Sequence, residues 1–201
     1  MRVLSFALVA AISGTAVAGL ENPLVPDWRG TPGTMFSQWD SFSQAVNAPN
    51  FPEAGGGFQL FNFGAGAIIA SSGNIYNPAG PLDIHVYSLA PVPVYQAVLN
   101  IAWSGTELNA GDVRAFQNGS YFDFTSSELR YQQESPFGGF NETWAFTFDL
   151  TGDTGDLAFF FGSDGAHSSL DAVSVDVLMV PAPGALALLG VAGMASRRRR
   201  R

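Results

Sequence analysis

Three aspartates lie close together in Asp149-Leu150-Thr151-Gly152-Asp153-Thr154-Gly155-Asp156. Carboxylates on a glycine-rich turn are hard oxygen donors of the kind that hold calcium. The spacing is not that of an EF-hand loop. Asp and Gly also build ordinary turns, because Asx side chains bond nearby backbone and Gly accepts positive φ. Asp149, Asp153 and Asp156 therefore stand as a calcium candidate, with a plain turn as the alternative. Asp164, Asp171 and Asp176 make a similar case around the last apolar run. Asp171 and Asp176 differ in parity, so on a regular strand they point to opposite faces, and at most one joins a given site unless a bulge intervenes.

Catalytic chemistry is thinly supplied. His85 and His167 are the only histidines, too few for a three-histidine zinc site, and the absence of cysteine removes thiol catalysis and Cys-ligated zinc. Ser168 and Ser169 follow His167 without the strand-turn-helix setting of a nucleophile elbow. Glycoside hydrolysis needs two carboxyls about 5 Å or roughly 6.5 to 9.5 Å apart. Glu107, Asp112, Glu128, Glu134 and Glu142 are available, but nothing around them singles out a pair. We expect no enzyme and no cofactor beyond the candidate calcium, with a small secreted glycoside hydrolase as the enzymatic alternative. Sugar stacking is better provided for. Trp28 and Trp39 lie in loop-like sequence and are candidate ligand contacts, joined by Tyr87 and Tyr131 on expected outer faces, while Trp103 and Trp144 alternate with core positions and are assigned to packing.

The elements that must position these residues are strands. Phe occurs 17 times, and 23 glycines and 12 prolines are spread along the chain, a composition of strands broken by turns. Prolines 23, 26, 32, 49 and 52 make residues 21–57 loop-like. Beyond them, period-two patterns recur. Leu82 to Tyr87 alternates, Tyr95, Ala97, Leu99, Ile101 and Trp103 share one face, and so do Trp144, Phe146, Phe148 and Leu150, and Val173, Val175 and Val177. Asn118-Gly119 fits a type I′ turn joining a hairpin. Further runs at Phe58 to Phe63, Ala67 to Ala70, Leu129 to Gln132 and Leu157 to Phe161 bring the total to about nine or ten strands. The unbroken apolar run at Leu157 to Phe161 predicts a strand covered on both faces. We expect an all-β fold, a single β-sandwich of jelly-roll type, with a closed barrel as the alternative.

Charge narrows the partners. All 17 acidic residues lie between Glu21 and Asp176, against three basic ones, Arg29, Arg114 and Arg130, so residues 19–179 carry a net charge of −14. So acidic a surface repels nucleic acid and anionic lipid and favours cations or neutral partners.

The ends carry addresses. Met1-Arg2, the apolar run from Val3 to Ile12 and the small residues Ala16 and Ala18 around Val17 form a secretory signal peptide over residues 1–18, cut by signal peptidase after Ala18. At the other end come Val180-Pro181-Ala182-Pro183-Gly184, an apolar run to Ala195, and the arginines Arg197, Arg198, Arg199, Arg200 and Arg201. Beyond Pro183 the apolar helix is about 20 Å long, a short transmembrane helix suited to temporary anchoring, and the arginines hold its end in the cytoplasm.

This tail resembles the PEP-CTERM sorting signal of exported bacterial proteins, in which a Pro-Glu-Pro motif precedes an apolar helix and a basic end. Ala182 stands where that motif has Glu. The resemblance implies a transient stay in the inner membrane, processing by an exosortase-type enzyme, and release to the cell surface or the extracellular matrix. A plain C-terminal membrane anchor is the alternative. Trp28-Arg29-Gly30, Gly33-Thr34 and Trp39, with the segment from Ser169 to Asp176, also resemble ectodomains of PEP-CTERM proteins from marine planctomycetes.

The expectation is thus a signal peptide at 1–18, a β-sandwich ectodomain at 19–179 and a sorting tail at 180–201. The ectodomain is read as structural or adhesive in a surface or matrix protein, with a carbohydrate-binding module, with or without structural calcium, as the alternative. Extracellular polysaccharide is its candidate partner. Intact mass of the protein recovered from the cell surface or medium should correspond to a chain starting at Gly19 and lacking Arg197 to Arg201; retention of the five arginines contradicts the sorting reading.

Overall fold

The computed structural model describes residues 19–136 and 138–179. The signal segment with Ala16 and Ala18, and the tail from Val180 to Arg201, lie outside the described residues. Among the described residues no helix is long and apolar enough to cross a membrane.

The chain is all-β and its strands pair antiparallel throughout. In order they are β1 (Thr34–Trp39), β2 (Ala54–Gly55), β3 (Phe58–Asn62), β4 (Ile68–Ile69), β5 (Ile75–Asn77), β6 (Asp83–Ser88), β7 (Val92–Gly105), β8 (Arg114–Gln117), β9 (Ser120–Asp123), β10 (Ser126–Glu134), β11 (Phe140–Asp149), β12 (Thr154–Gly155), β13 (Leu157–Gly162) and β14 (Ser168–Met179). They form two sheets, consistent with a β-sandwich. The larger runs β10-β11-β7-β14-β1-β2, with β5 and β4 continuing from one end of β14 and β12 against β7; the smaller runs β3-β6-β13-β8-β9.

Alternation builds the core. Leu99, Ile101, Trp103, Phe146, Phe148, Val173, Val175 and Val177 of the larger sheet face Phe58, Leu60, Ile84, Val86 and Phe159 of the smaller, and all are essentially fully buried. At about 25 cal/mol per Å² of apolar surface removed from water, this layer is the main stabilising term of a domain without disulfides. Its two indole N–H groups are satisfied, Trp39 Nε1 donating to the Asn50 carbonyl at 3.0 Å and Trp103 Nε1 to that of Thr106 at 2.7 Å.

Most expected strands are found, including the type I′ turn at Asn118 and Gly119, whose φ values are 48° and 81°. Three features differ. Residues 21–57 are not all loop: Thr34 to Trp39 form β1, which pairs with β14 from Thr34↔Leu178 to Trp39↔Val173. Its sequence, Thr-Met-Phe-Ser-Gln-Trp, has no clean alternation, and long-range pairing overrides that weak local signal. Tyr95 does not share the face of Ala97. Leu178 lies opposite Gln96 and Met179 opposite Val94, so Tyr95 is the extra residue of a bulge on β7; it turns outward to 41% exposure and Val94 enters the core. A bulge also falls between Leu170 and Ala172, so Asp171 and Asp176 both lie on the outer face of the larger sheet.

That outer face is crossed by a strap, residues 22–31. The Leu24 amide donates to Asn100 Oδ1 at 2.7 Å, Asn100 Nδ2 returns a bond to the Leu24 carbonyl at 3.1 Å, and Trp28 Nε1 donates to Gln96 at 2.9 Å. Arg29 grips Asp176 with both ends of its fork, at 2.5 and 2.6 Å, and its guanidinium stacks over the Phe36 ring at 4.1 Å. Asp176 is fully buried, and burial raises its carboxyl pKa even against the guanidinium beside it. Such a pair holds geometry more than it adds net stability, but removing one partner strands the other. Replacing Arg29 by Met should therefore destabilise the domain by about 3 kcal/mol, read as a lower urea midpoint at unchanged slope.

Candidate functional site

The alternation that fills the core also decides the outer face of the smaller sheet. Leu60, Ile84, Val86, Phe159 and Ala115 point inward and are fully buried. Phe61, His85, Tyr87, Phe160, Phe116 and Tyr121 have the opposite parity on the same strands and point outward. Register lines them up across the sheet: Phe61 pairs with His85 and His85 with Phe160, while Tyr87 pairs with Ala158, Ala158 with Phe116, and Phe116 with Tyr121.

The rings touch in a continuous array. Phe160 is the hub, its centroid 4.7 Å from His85, 5.9 Å from Tyr121, 6.2 Å from Tyr87 and 6.5 Å from Phe116. Phe116 meets Tyr121 at 5.1 Å. On the far side Phe63, just past β3, lies near-parallel to Phe61 at 5.8 Å and edge-on to His85 at 4.7 Å. Edge-to-face pairs of this kind contribute about 0.5–1.5 kcal/mol each beyond burial and hold the rings at fixed angles. Tyr121 is 68% and Phe63 40% exposed, so the array ends in open rings on both sides. Four interstrand steps of about 4.8 Å make it roughly 19 Å wide.

Polar groups are tied into it. His85 Nε2 lies 2.9 Å from Asp83 Oδ1, and Nδ1 lies 2.7 Å from the Tyr87 hydroxyl. A carboxylate only accepts, so Nε2 carries a proton, and in the neutral ring Nδ1 accepts from Tyr87. Burial first, then the charges of Asp83 and Tyr121, raises the Tyr87 pKa and keeps it a neutral donor. At the β8–β9 side Arg114 Nε meets Asp123 at 3.1 Å. Arg29 and Arg130 are likewise paired, with Asp176 at 2.5 Å and Glu128 at 2.8 Å. Every arginine among the described residues thus has a carboxylate against it. The arrangement offers flat apolar rings edged by hydroxyl, imidazole and carboxylate, suited to stacking on the C–H faces of neutral sugars.

The residues singled out in the sequence fall elsewhere, apart from His85 and Tyr87. Trp39 is a correction: it is on β1, not in a loop, and wholly buried, so it serves the core and not a ligand. Trp28 is half-buried in the strap with its N–H committed to Gln96. Asp149, Asp153 and Asp156 are exposed along the return from β11 to β13. That turn is organised by buried Gln117, which donates to the carbonyls of Val94 and Asp153 at 2.9 and 3.1 Å and accepts from the Thr151 hydroxyl at 3.2 Å. Among the described residues no three His, Asp or Glu side chains come together as a metal-binding group. Asp164 accepts from Asn109 at 3.1 Å, Asp171 from Asn74 at 2.8 Å, and Asp176 from Arg29, three separate settings. Glu142 accepts from Gln132 and Trp144 at 2.7 and 2.8 Å. Trp103 is in the core as expected, and Trp144 packs against it at the edge.

Phe61, Phe63, Phe116, Tyr121 and Phe160 escaped the sequence reading. The run from Leu157 to Phe161 is not covered by protein on both faces: Phe159 enters the core and Phe160 the surface array. The one local signal was Asp83-Ile84-His85-Val86-Tyr87, whose alternation puts an imidazole and a phenol on one outer face. No protein-family model matches this chain, and no curated protein is found to match it either.

Two adjacent phenylalanines test this geometry. Phe159→Ala should cost about 4 kcal/mol, as a core truncation does, whereas Phe160→Ala should cost about 2 kcal/mol, the lower end for its four ring contacts. Equal losses in urea unfolding would mean that the outer array is structural core.

Proposed function

We propose that this chain is an exported surface or matrix protein whose non-enzymatic ectodomain adheres to neutral polysaccharide through the aromatic face of its smaller sheet. The observation that carries the reading is the ring array itself, which spans all five strands and holds open rings at both sides. A contiguous exposed aromatic patch is a contact surface, not an accident of composition. Its width suits several sugar rings of an extended chain better than one. Charge selects the class of polymer: with a net charge of −14 and every described arginine already paired, the domain repels polyanions and keeps no free cation to bridge to them.

Export and release rest on the residues at the two ends, Ala16 and Ala18 for signal peptidase and the run from Val180 to Arg201 for an exosortase-type enzyme. The finer fold assignment is a jelly roll. Without the short strands and the edge strands β3 and β10, the sheets are β1-β14-β7-β11 and β6-β13-β8-β9. The chain passes repeatedly between them, and that interleaving supports the assignment. Adhesion by this face needs no bound cofactor.

Co-sedimentation with microcrystalline cellulose and insoluble neutral mannan tests the reading. The wild-type domain should be depleted from solution on at least one of them, with little change on adding salt, and should not bind alginate. The double variant Phe160→Ala/Tyr121→Ala should bind about tenfold more weakly. Retention of full binding by that variant, or no depletion on either neutral polymer, overturns the proposal.

A further inference from the structure

The opposite side of the sandwich holds a cleft of about 720 Å³ at one end of the larger sheet. Its floor is a row across three strands, in which Tyr76 on β5 pairs with Ser169 on β14, and Ser169 pairs with Ser104 on β7. Their neighbours Ile75, Leu170 and Trp103 are buried in the core, so the three side chains face outward. The β4–β5 hairpin, with Asn74, forms one wall. Gly138 and Gly139, just before β11, form the other.

Asp171, brought to the outer face by the β14 bulge, stands beside this floor and organises it. It accepts from Ser169 Oγ at 2.8 Å and from Asn74 Nδ2 at 2.8 Å. Burial raises its pKa, and the neighbouring Ser169, Ser104 and Asn74 side chains pull the other way. The Ser169 hydroxyl proton is thus committed to the carboxylate, and its oxygen, which already accepts from Asn74 Nδ2 at 2.6 Å, keeps one lone pair with which to accept. Beside it the Tyr76 hydroxyl and His167 Nδ1 are 2.9 Å apart. In either tautomer that pair leaves one donor and one acceptor for a ligand, and Tyr76 adds an aromatic ring.

The rim is built at close quarters. His167 has φ 64°, a left-handed conformation unusual for a residue with a side chain. Gly105 has φ 87°, and a Cβ there would lie 2.0 Å from the His167 carbonyl oxygen. Gly139 in turn runs so near Gly105 that its Cβ would lie 2.5 Å from the Gly105 carbonyl oxygen. Three backbones meet here at a distance only glycine permits, and strain of this sort gathers where a site must be held in shape.

We propose that this cleft is a second, independent binding site that takes the end of a neutral glycan, one or two sugar rings. The chemistry of the lining selects that class. A sugar ring presents many hydroxyls, each both donor and acceptor, and an apolar face for Tyr76. An anion meets no arginine or lysine in the lining and a carboxylate beside the floor. A metal ion finds one carboxylate, already engaged by Ser169 and Asn74. The volume lies within the usual range of small-ligand sites, about 300–1,000 Å³.

Titration of the 15N-labelled domain with cellobiose, mannobiose, xylobiose and their three-ring homologues tests the site. At least one should give saturable shifts at the Ser104, Thr106 and Ser169 amides, and glucuronic acid should give none. Ser169→Ala, and separately Tyr76→Phe, which removes only the hydroxyl, should weaken that binding about tenfold with the rest of the spectrum unchanged. Phe160→Ala/Tyr121→Ala should leave it intact, which separates this site from adhesion by the aromatic face. Absence of saturable shifts at those amides with every sugar, shifts confined to the aromatic face, undiminished binding by both single variants, or equal binding of glucuronic acid overturns the proposal.

Discussion

The side-chain layer between the two sheets is the constraint from which the rest of the structure follows. No cysteine is present to cross-link the chain, and its register is set chiefly by which residues are buried. A strand has only two faces, and once Ile84, Val86 and Phe159 are committed inward, His85, Tyr87 and Phe160 have nowhere to go but out. A slip of one residue in β6 or β13 would exchange the two sets. The aromatic face is therefore fixed by the same interaction that stabilises the fold, and its rings are as well positioned as the core itself.

Electrostatics divides the two outer faces. On the larger sheet, Asp176 and Asn100 are polar groups that a strand would ordinarily show to water, and the strap from residue 22 to 31 covers them with matched partners. On the smaller sheet the outward residues are rings, and among the described residues no strap covers them. The three described arginines are spent on internal pairing, which leaves the acidic excess at the surface beside the aromatic array.

Local pattern made much of this fold legible. The alternation in β6, the valines of β14 and the Asn118-Gly119 turn each contain their structure within a few residues. What escaped depends on partners far along the chain. The β1 sequence becomes a strand because β14 supplies its hydrogen bonds, and Tyr95 turns outward because the pairing with β14 leaves it as the extra residue of a bulge. The aromatic array needs the register of five strands, which no single window holds, and Phe159-Phe160-Phe161 reads alike from either face. The cleft draws on four separated stretches of chain. The aspartates from 149 to 156 stood out because they are adjacent in sequence, yet side chains that cooperate in a sandwich are usually adjacent only across strands.

The strap and β1 also set an order of events. Arg29 and Asp176 are 147 residues apart, and Trp39 lies opposite Val173. The first described strand thus pairs with the last. Contacts of that span carry a large loop-closure cost and are slow to form. Such wiring leaves the strap and β1 without their partners until β14 is in place, so the larger sheet is completed late.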